Sequence, residues 1–274
     1  MSYSKVLKKH SRTFYYSSLL FPKRVRNDVS LLYSFVRYVD NLVDRENSNL
    51  AEIENFQNLF ENAWSGKRVK NKLVNDFVSL AKSKNFSKNW IDDFFRAQKQ
   101  DFKKRNYKTF QELQSYTYGV AGTIGLFLSR ILDLPEAAFD GAVKLGQSMQ
   151  IINCCRDVFE DYRLGRVYMP SEDIRRFNIN LEKFLDKDSK EGLEGLIGFE
   201  IKRAFKIEKE ARRSFSYFKN KRSLLAVMVA SDLYHLIGEK ILNDLEIIYS
   251  EKKRLITFFD LSKIVLRDFF VVYF

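Results

Sequence analysis

Proline occurs only three times in this 274-residue chain, at Pro22, Pro135 and Pro170, and glycine eleven times. A β-sandwich or barrel of this length needs frequent turn punctuation, so the shortage of breakers points to long helices joined by short loops. Apolar spacing predicts helices at about 4–19, 24–46, 50–64, 69–83, 88–104, 109–132, 136–163, 197–219, 222–249 and 256–272. The prolines agree: Pro22 separates the first two helices, Pro135 precedes another, and Pro170 falls in a loop. Lys187–Gly195, with its charges and two glycines, reads as the main loop. The chain holds 25 Phe, 14 Tyr and 2 Trp, which excludes disorder and is ample for a full core. No composition shift marks a boundary, so a single all-α domain over 1–274 is expected.

The net charge is +12, from 47 Lys and Arg against 35 Asp and Glu. Such a balance suits nucleic acid, an anionic membrane, a phosphorylated small molecule, or no special partner at all. A nucleic-acid binder needs a clustered basic stripe or a known module, and the positive residues here are scattered. Cys154 and Cys155 are adjacent, there is no C-x-x-C, and His10 and His235 are the only histidines. A structural zinc site is therefore not expected, and the cysteine usage suits a reducing cytosol. Residues 1–23 carry charges throughout, so no secretory signal is expected, and no apolar run approaches a membrane span. Residues 255–274 are amphipathic. Leu255, Phe258, Phe259, Val265, Leu266, Phe269, Phe270 and Tyr273 share one side; Asp260, Lys263, Arg267 and Asp268 share the other. Packing of the apolar side on the body is the first expectation, and peripheral contact with a membrane surface is the alternative.

A D-x-x-x-D pattern occurs twice, at Asp40–Asp44 and at Asp157–Asp161. Four residues make one helical turn, so each pair shares a face. Tyr33, Arg37, Asp40 and Asp44 form one polar line on a helix otherwise made of Leu, Phe and Val. Gln150, Asn153, Asp157 and Asp161 form a second, flanked by Arg156 and Glu160. A helix apolar nearly all round is usually buried, and buried carboxylates need compensation. Two carboxylates 4 Å apart repel by roughly 4 kcal/mol at an effective dielectric near 20. Hard oxygen ligands without His or Cys favour Mg²⁺, which takes one or two carboxylates together with substrate phosphates. A single such pair is more often an exposed helix face. Two of them on apolar helices, each beside an arginine, point to metal-bridged phosphate binding in a cavity between the helices. A third segment, Tyr116–Gly125, sets three glycines inside a helical pattern at about 1 kcal/mol each relative to alanine. That cost implies close approach by another helix or by a long apolar ligand. The segment lacks the ending of a phosphate loop.

These segments together resemble the squalene and phytoene synthases. Tyr33-Ser-Phe-Val-Arg37-Tyr-Val-Asp40-Asn-Leu-Val-Asp44 is similar to their first aspartate-rich motif, with Asn41 where a middle acid often stands. Tyr116–Gly125 is similar to their Y-x-Y-G-V-A-G-T-x-G segment. Gln150–Pro170 resembles their second motif, including the G-R-x-Y-x-P tail. His10–Phe14 and Tyr234 match the N-terminal segment and a C-terminal tyrosine. The resemblance implies an isoprenoid-synthase helical bundle around a central cavity and head-to-head joining of two allylic isoprenyl diphosphates. It implies that Asp40, Asp44, Asp157 and Asp161 hold Mg²⁺, with Mn²⁺ as the alternative. It implies diphosphate contacts from His10, Arg37, Gln150, Asn153, Arg156 and Arg166, and catalytic roles for Tyr33, Tyr116 and Tyr234 near the reacting carbons. Asn41 points about 100° away from Asp40 on a helix, so the outer acids keep their geometry. Small Ser18 and Ser30, near positions that border the tail tunnel in this family, favour geranylgeranyl diphosphate and hence phytoene, with no NADPH. Farnesyl diphosphate, giving squalene or dehydrosqualene, is the alternative. An inactive synthase-like partner subunit is a second alternative, and a terpene cyclase lacks its usual Asn/Ser metal motif here. A cytoplasmic enzyme of carotenoid biosynthesis, peripheral at most to the membrane, is the expectation.

Overall fold

The computed structural model describes residues 3–45, 48–102, 106–180, 189–249 and 255–274. Fourteen α-helices are seen among them. The N-terminal half holds α1 (Tyr3–His10), α2 (Arg12–Ser18), α3 (Lys23–Asp44), α4 (Leu50–Trp64), α5 (Lys72–Ser83), α6 (Lys88–Gln100), α7 (Phe110–Thr117) and α8 (Thr123–Ile131). The C-terminal half holds α9 (Phe139–Arg156), α10 (Val158–Arg163), α11 (Ser171–Arg176), α12 (Lys190–Ala211), α13 (Lys221–Asn243) and α14 (Phe258–Tyr273). A two-stranded parallel ladder, β1 (Asn106–Tyr107) with β2 (Val167–Pro170), is the only sheet among the described residues. The all-α expectation is met.

Several predicted helices break where a side chain or a close contact competes with the ladder. Ser11 divides 4–19: its backbone is extended and its hydroxyl accepts the Phe14 N–H, capping α2. Segment 109–132 runs through a π-turn at Tyr118–Gly122, a device that often marks functional positions. Segment 136–163 opens as a 3₁₀ turn at Glu136–Ala138 and kinks at Asp157 between α9 and α10. The expected loop at 187–195 is corrected in part. Residues 187 and 188 lie outside the described set, but Lys190 already starts α12. Its glycines serve packing. A Cβ on Gly192 would lie 2.7 Å from the Phe177 carbonyl oxygen, and one on Gly195 would lie 3.0 Å from the Phe177 ring.

Two main clusters form the core. Phe35, Phe56, Phe60, Phe77, Phe95 and Phe127 fill the space among α3 to α6 and α8, with Phe35 stacked on Phe77 at 3.6 Å between centroids. The second joins α9, α12 and α13 through Ile151, Ile152, Ile197, Ile201, Ile237 and Ile241. The glycines of the π-turn region fit α9 and α6 against it: a Cβ on Gly125 would stand 2.2 Å from the Ala142 carbonyl, and one on Gly119 2.3 Å from Ala97 Cβ. Close helix approach is thus the reason for that stretch. Helix α3 packs on α1, α4, α5, α6 and α8, whereas α9 packs on α7, α8, α12 and α13. The two acidic helices are held apart and share α8 as a neighbour.

Helix α14 opens with a reciprocal capping box between Thr257 and Asp260. It packs on the body as first expected, but mainly through Leu261 and Ile264, which belong to neither expected side, with Val265 and Tyr273 of the apolar side against the same cluster. Leu261, Ile264 and Asp268 are buried, while Phe258, Phe259 and Leu266 are exposed. Asp268, expected on the polar side, is 1% exposed, its Oδ1 accepting from Arg267 Nε and Nη2 at 2.9 Å while the Arg267 side chain itself stays exposed.

A candidate active site between two acidic helices

Asp40 and Asp44 lie one turn apart at the end of α3. The Asp40 carboxylate accepts a hydrogen bond from Gln98 Nε2 of α6 at 2.7 Å. Burial, then the nearby Asp44 charge, push its pKa up to about 7, against the pull of Arg37 and Gln98. Asp44 is exposed and accepts from Arg166 Nη1 at 3.1 Å, while Arg166 Nη2 donates to the Val43 carbonyl at 3.1 Å. Burial works against the Arg166 charge, yet Tyr168, Asp101 and Asp44 around it raise its pKa. The second-motif tail therefore reaches back to the first motif.

Asp101, which follows α6, ties the two together. It accepts from the Tyr116 hydroxyl at 2.9 Å and from the Tyr168 hydroxyl at 3.1 Å, and the two hydroxyls stand 3.3 Å apart. Burial lifts Asp101 to about 6, opposed by Arg166 and the two tyrosines. Its charge is felt by Asp40, and Tyr168 feels both Asp101 and Asp161. On the other flank, Tyr33 lies within electrostatic reach of Asp40 and Tyr234, and Tyr234 within reach of Arg156, Asn153 and Asp157. Phe14 fills the gap, with ring centroids 6.4 Å from Tyr33 and 5.4 Å from Tyr234. The predicted tyrosines and both acid pairs thus belong to one neighbourhood.

The kink at Asp157 keeps the second acid line intact. Asp157 N–H donates to the Asn153 carbonyl and Asp161 N–H to the Asp157 carbonyl, each at 2.9 Å. Arg156 grips the Asp157 carboxylate with both Nε and Nη2, at 2.9 and 2.6 Å. Asn153 donates to Gln150 at 3.2 Å, and its Oδ1 is buried with no partner among the described residues. Arg37 Nε is buried and similarly unpartnered. His10, at the exposed end of α1, has its pKa lowered by burial and then by Arg37, which places it beside that guanidinium.

Asp101 and Gln98 lie outside every motif of the sequence, and Tyr168 sits in the G-R-x-Y-x-P tail, where the sequence assigns it no role. Gln98 and Asp101 fall three apart on one helical face, which is the only signal they offer. A cleft of about 750 Å³ lies elsewhere, between α12, α13 and α14, and none of the sequence-predicted site residues lines it.

A metal can be judged from the donor set. Among the described residues, no three His, Cys, Asp or Glu side chains converge into a ready cage. The acids present are carboxylates in pairs, one of them raised by burial and then by its neighbour's charge, with an unpartnered guanidinium N–H beside them. That set fits a hard divalent cation arriving with an anionic oxygen ligand, as Mg²⁺ prefers, rather than a protein-only site.

The model for squalene/phytoene synthase matches residues 7–257. The chain belongs to the squalene/phytoene synthase family. It is 30% identical over 224 residues to a 15-cis-phytoene synthase from Synechocystis sp., covering 76% of this chain and 66% of that one. It is 26% identical over 253 residues to a chloroplastic phytoene synthase from an Oncidium hybrid cultivar, covering 86% and 59%. The chain therefore spans about three fifths to two thirds of the length of these curated relatives. Among solved structures it is similar to a dehydrosqualene synthase in complex with ligand, at 25% identity and a TM-score of 0.90, covering 98% of this chain and 95% of that one. A squalene synthase from Alicyclobacillus acidocaldarius shares the fold at a TM-score of 0.79 and 21% identity, covering 88% and 92%. The family is one of prenyltransferase-type enzymes.

Proposed function

We propose that this member of the family joins two geranylgeranyl diphosphates head to head, through a cyclopropyl diphosphate, to give phytoene in carotenoid biosynthesis. The observation that carries the proposal is the convergence of both acid pairs, three tyrosines and three arginines through Asp101 and Phe14. Mg²⁺, or Mn²⁺ in its place, bound by Asp40, Asp44, Asp157 and Asp161 supplies charge neutralisation for the departing diphosphates. Arg37, with its unpartnered Nε, contacts diphosphate oxygens, and Arg156 and Arg166 add positive charge to the two acid lines. His10, Gln150 and Asn153 orient the same oxygens. The chain's own contribution after ionisation is a water-poor pocket in which the allylic cation meets the second substrate's double bond. Tyr33, Tyr116 and Tyr234 present ring faces and hydroxyls to that cation. Asp101 fixes Tyr116, so its hydroxyl is set before substrate arrives. Loss of a proton closes the cyclopropane, and a second ionisation and rearrangement leave an allylic cation that loses a further proton to form the central double bond of the linear product, so no reductant such as NADPH is used.

Two observations bear on chain length. Ser18 and Ser30 are buried and bond their own helix backbones, so each presents little bulk, which supports the C20 substrate. The likeness to a dehydrosqualene synthase structure supports farnesyl diphosphate as the second reading. A cytoplasmic location with peripheral contact at a membrane surface belongs to the same proposal, because a long hydrocarbon product has little solubility in water. No described helix is long and apolar enough to cross a membrane.

The test is divalent-metal-dependent release of diphosphate from geranylgeranyl diphosphate. Asp40→Ala and Asp157→Ala are each expected to lower turnover by about 10²–10³-fold in folded protein. Release that is undiminished in both variants, or absent from the parent with both C15 and C20 substrates, overturns the proposal.

A further inference from the structure

Helix α12 buries an acid for which the proposed reaction has no use. Glu200 is 0% exposed, and Asp173 of α11 beside it is 4% exposed. Arg203 Nη1 donates to both, to Glu200 Oε1 at 2.7 Å and to Asp173 Oδ2 at 2.9 Å. The guanidinium lies 4.1 Å from the Phe110 ring centroid and 4.5 Å from that of Phe199. Two carboxylates against one guanidinium leave a negative charge uncompensated, which is costly at this depth. Among the described residues no second cation pairs with either acid. Glu200 Oε2 shows how the balance is met. It is buried and receives no hydrogen bond among the described residues, yet Asp173 stands within hydrogen-bonding reach of the same carboxyl group. Two carboxyl groups bond to each other only when one of them carries a proton. A proton on Oε2 gives that oxygen a partner and leaves a single negative charge for Arg203. Burial, opposed by Arg203 and aided by the Asp173 charge, lifts Glu200 to about 8. The Cys155 thiol of α9 also faces Glu200, and burial keeps it neutral.

Asp173 matters through what precedes it. Helix α11 follows β2 directly. Strand β2 carries Tyr168, whose hydroxyl reaches Asp101, and just before it stands Arg166, which reaches Asp44. The far end of this second-motif tail is therefore fastened to α12 through Arg203. The same end is tied to the start of α7: Phe110 N–H donates to Glu172 Oε1 at 2.7 Å, and Glu172 N–H donates to the Lys108 carbonyl at 3.1 Å. Arg176 of α11 adds a contact on α12, 4.6 Å from the Phe199 centroid.

We propose that Glu200 and Asp173 share one proton at neutral pH and, clamped on Arg203, act as positioning residues that seat the second-motif tail, with Tyr168 and Arg166, against the first acid line. The effect on turnover rests on the proposed reaction, whereas the shared proton and the seating do not. The folded chain holds this proton at a pH where the unfolded chain has released it. Its stability therefore falls as pH rises from the ordinary glutamate range to about 8, and levels off above that.

Glu200→Gln is the first test, because the amide keeps an oxygen for Arg203 and offers Asp173 an N–H that does not titrate. Between pH 6 and pH 9 the melting temperature of the parent is expected to fall by at least about 4 °C more than that of Glu200→Gln. The variant keeps the parent's diphosphate release at pH 7 and loses less of it than the parent does by pH 9. Asp173→Ala cuts α11 from Arg203 and leaves Glu200 as the partner of that guanidinium. Trypsin is then expected to cleave at Arg166 about tenfold faster in the folded protein, and turnover to fall by about tenfold. Asp173→Asn, whose amide still bridges Arg203 and Glu200, restores both. A Glu200→Gln protein whose melting profile follows the parent's, or that is already impaired at pH 7, overturns the shared proton. Parent-like cleavage or undiminished turnover in Asp173→Ala overturns the seating role. Diverging melting profiles and faster cleavage, with no turnover in any of these proteins, remove the reaction reading alone.

Discussion

Asp101 shows how much of a site depends on residues that no motif contains. Its two oxygens hold the Tyr116 and Tyr168 hydroxyls, and its charge reaches Asp40. Asp101→Asn keeps the shape but replaces a charged double acceptor by a group with one acceptor and one donor. Turnover is expected to fall by about 10–100-fold, as for supporting groups around a metal site. Circular dichroism and the melting temperature should stay near the parent's. Unchanged kinetics in Asp101→Asn would assign Tyr116 its position by packing alone. At this scale the sequence was most readable where periodicity did the work. Tyr33, Arg37, Asp40 and Asp44 share a helix, so spacing alone aligned them. Asp101 was hidden because its partners come from α7 and β2, and such long-range contacts leave no local pattern. Arg156 was read as a diphosphate contact, and its bidentate grip on adjacent Asp157 could not be seen from spacing.

Elements were legible to the extent that glycines could be interpreted. Gly125 and Gly119 were read as close-packing positions, and the backbone of α9 and the side chain of Ala97 stand where their Cβ atoms would be. Gly192 and Gly195 were read as loop residues, yet they sit inside α12 beneath Phe177, and the same physical reason applies. A lone sequence does not distinguish a glycine that breaks a helix from one that admits a neighbour. The distinction makes a paired prediction. Gly125→Ala forces a methyl into the Ala142 carbonyl and is expected to cost about 1–3 kcal/mol. Gly198→Ala, on the open side of α12 with only Leu242 nearby at 3.7 Å, is expected to gain about 0.5–1 kcal/mol from helix propensity. Chemical denaturation of the two variants reads both signs. Equal effects would mean that propensity, not contact, sets the glycine positions. Helix α14 carries a related lesson: its amphipathic period is legible in the sequence, but the period alone does not announce which face the body takes.

For the whole molecule, the scarcity of prolines and glycines points to the helical class that the structure has, and the two acid lines point to the proposed site. The +12 charge proved secondary. The proposed site is built on the minority sign, with Arg37, Arg156 and Arg166 as the basic residues drawn into it. Lys221 and Lys263 are among the positive residues that face outward, whereas Arg203 pairs with the buried Glu200 and Asp173. Chain length of the substrate is the property least visible in sequence, because a tunnel is a void shaped by many side chains and Ser18 and Ser30 are only two of them. Incubation of the purified protein with geranylgeranyl diphosphate and Mg²⁺, without reductant, followed by chromatography and mass analysis of the extracted hydrocarbon, tests it directly. Phytoene is the expected product. A folded protein that leaves this substrate intact, yet joins farnesyl diphosphate under the same conditions, would contradict it.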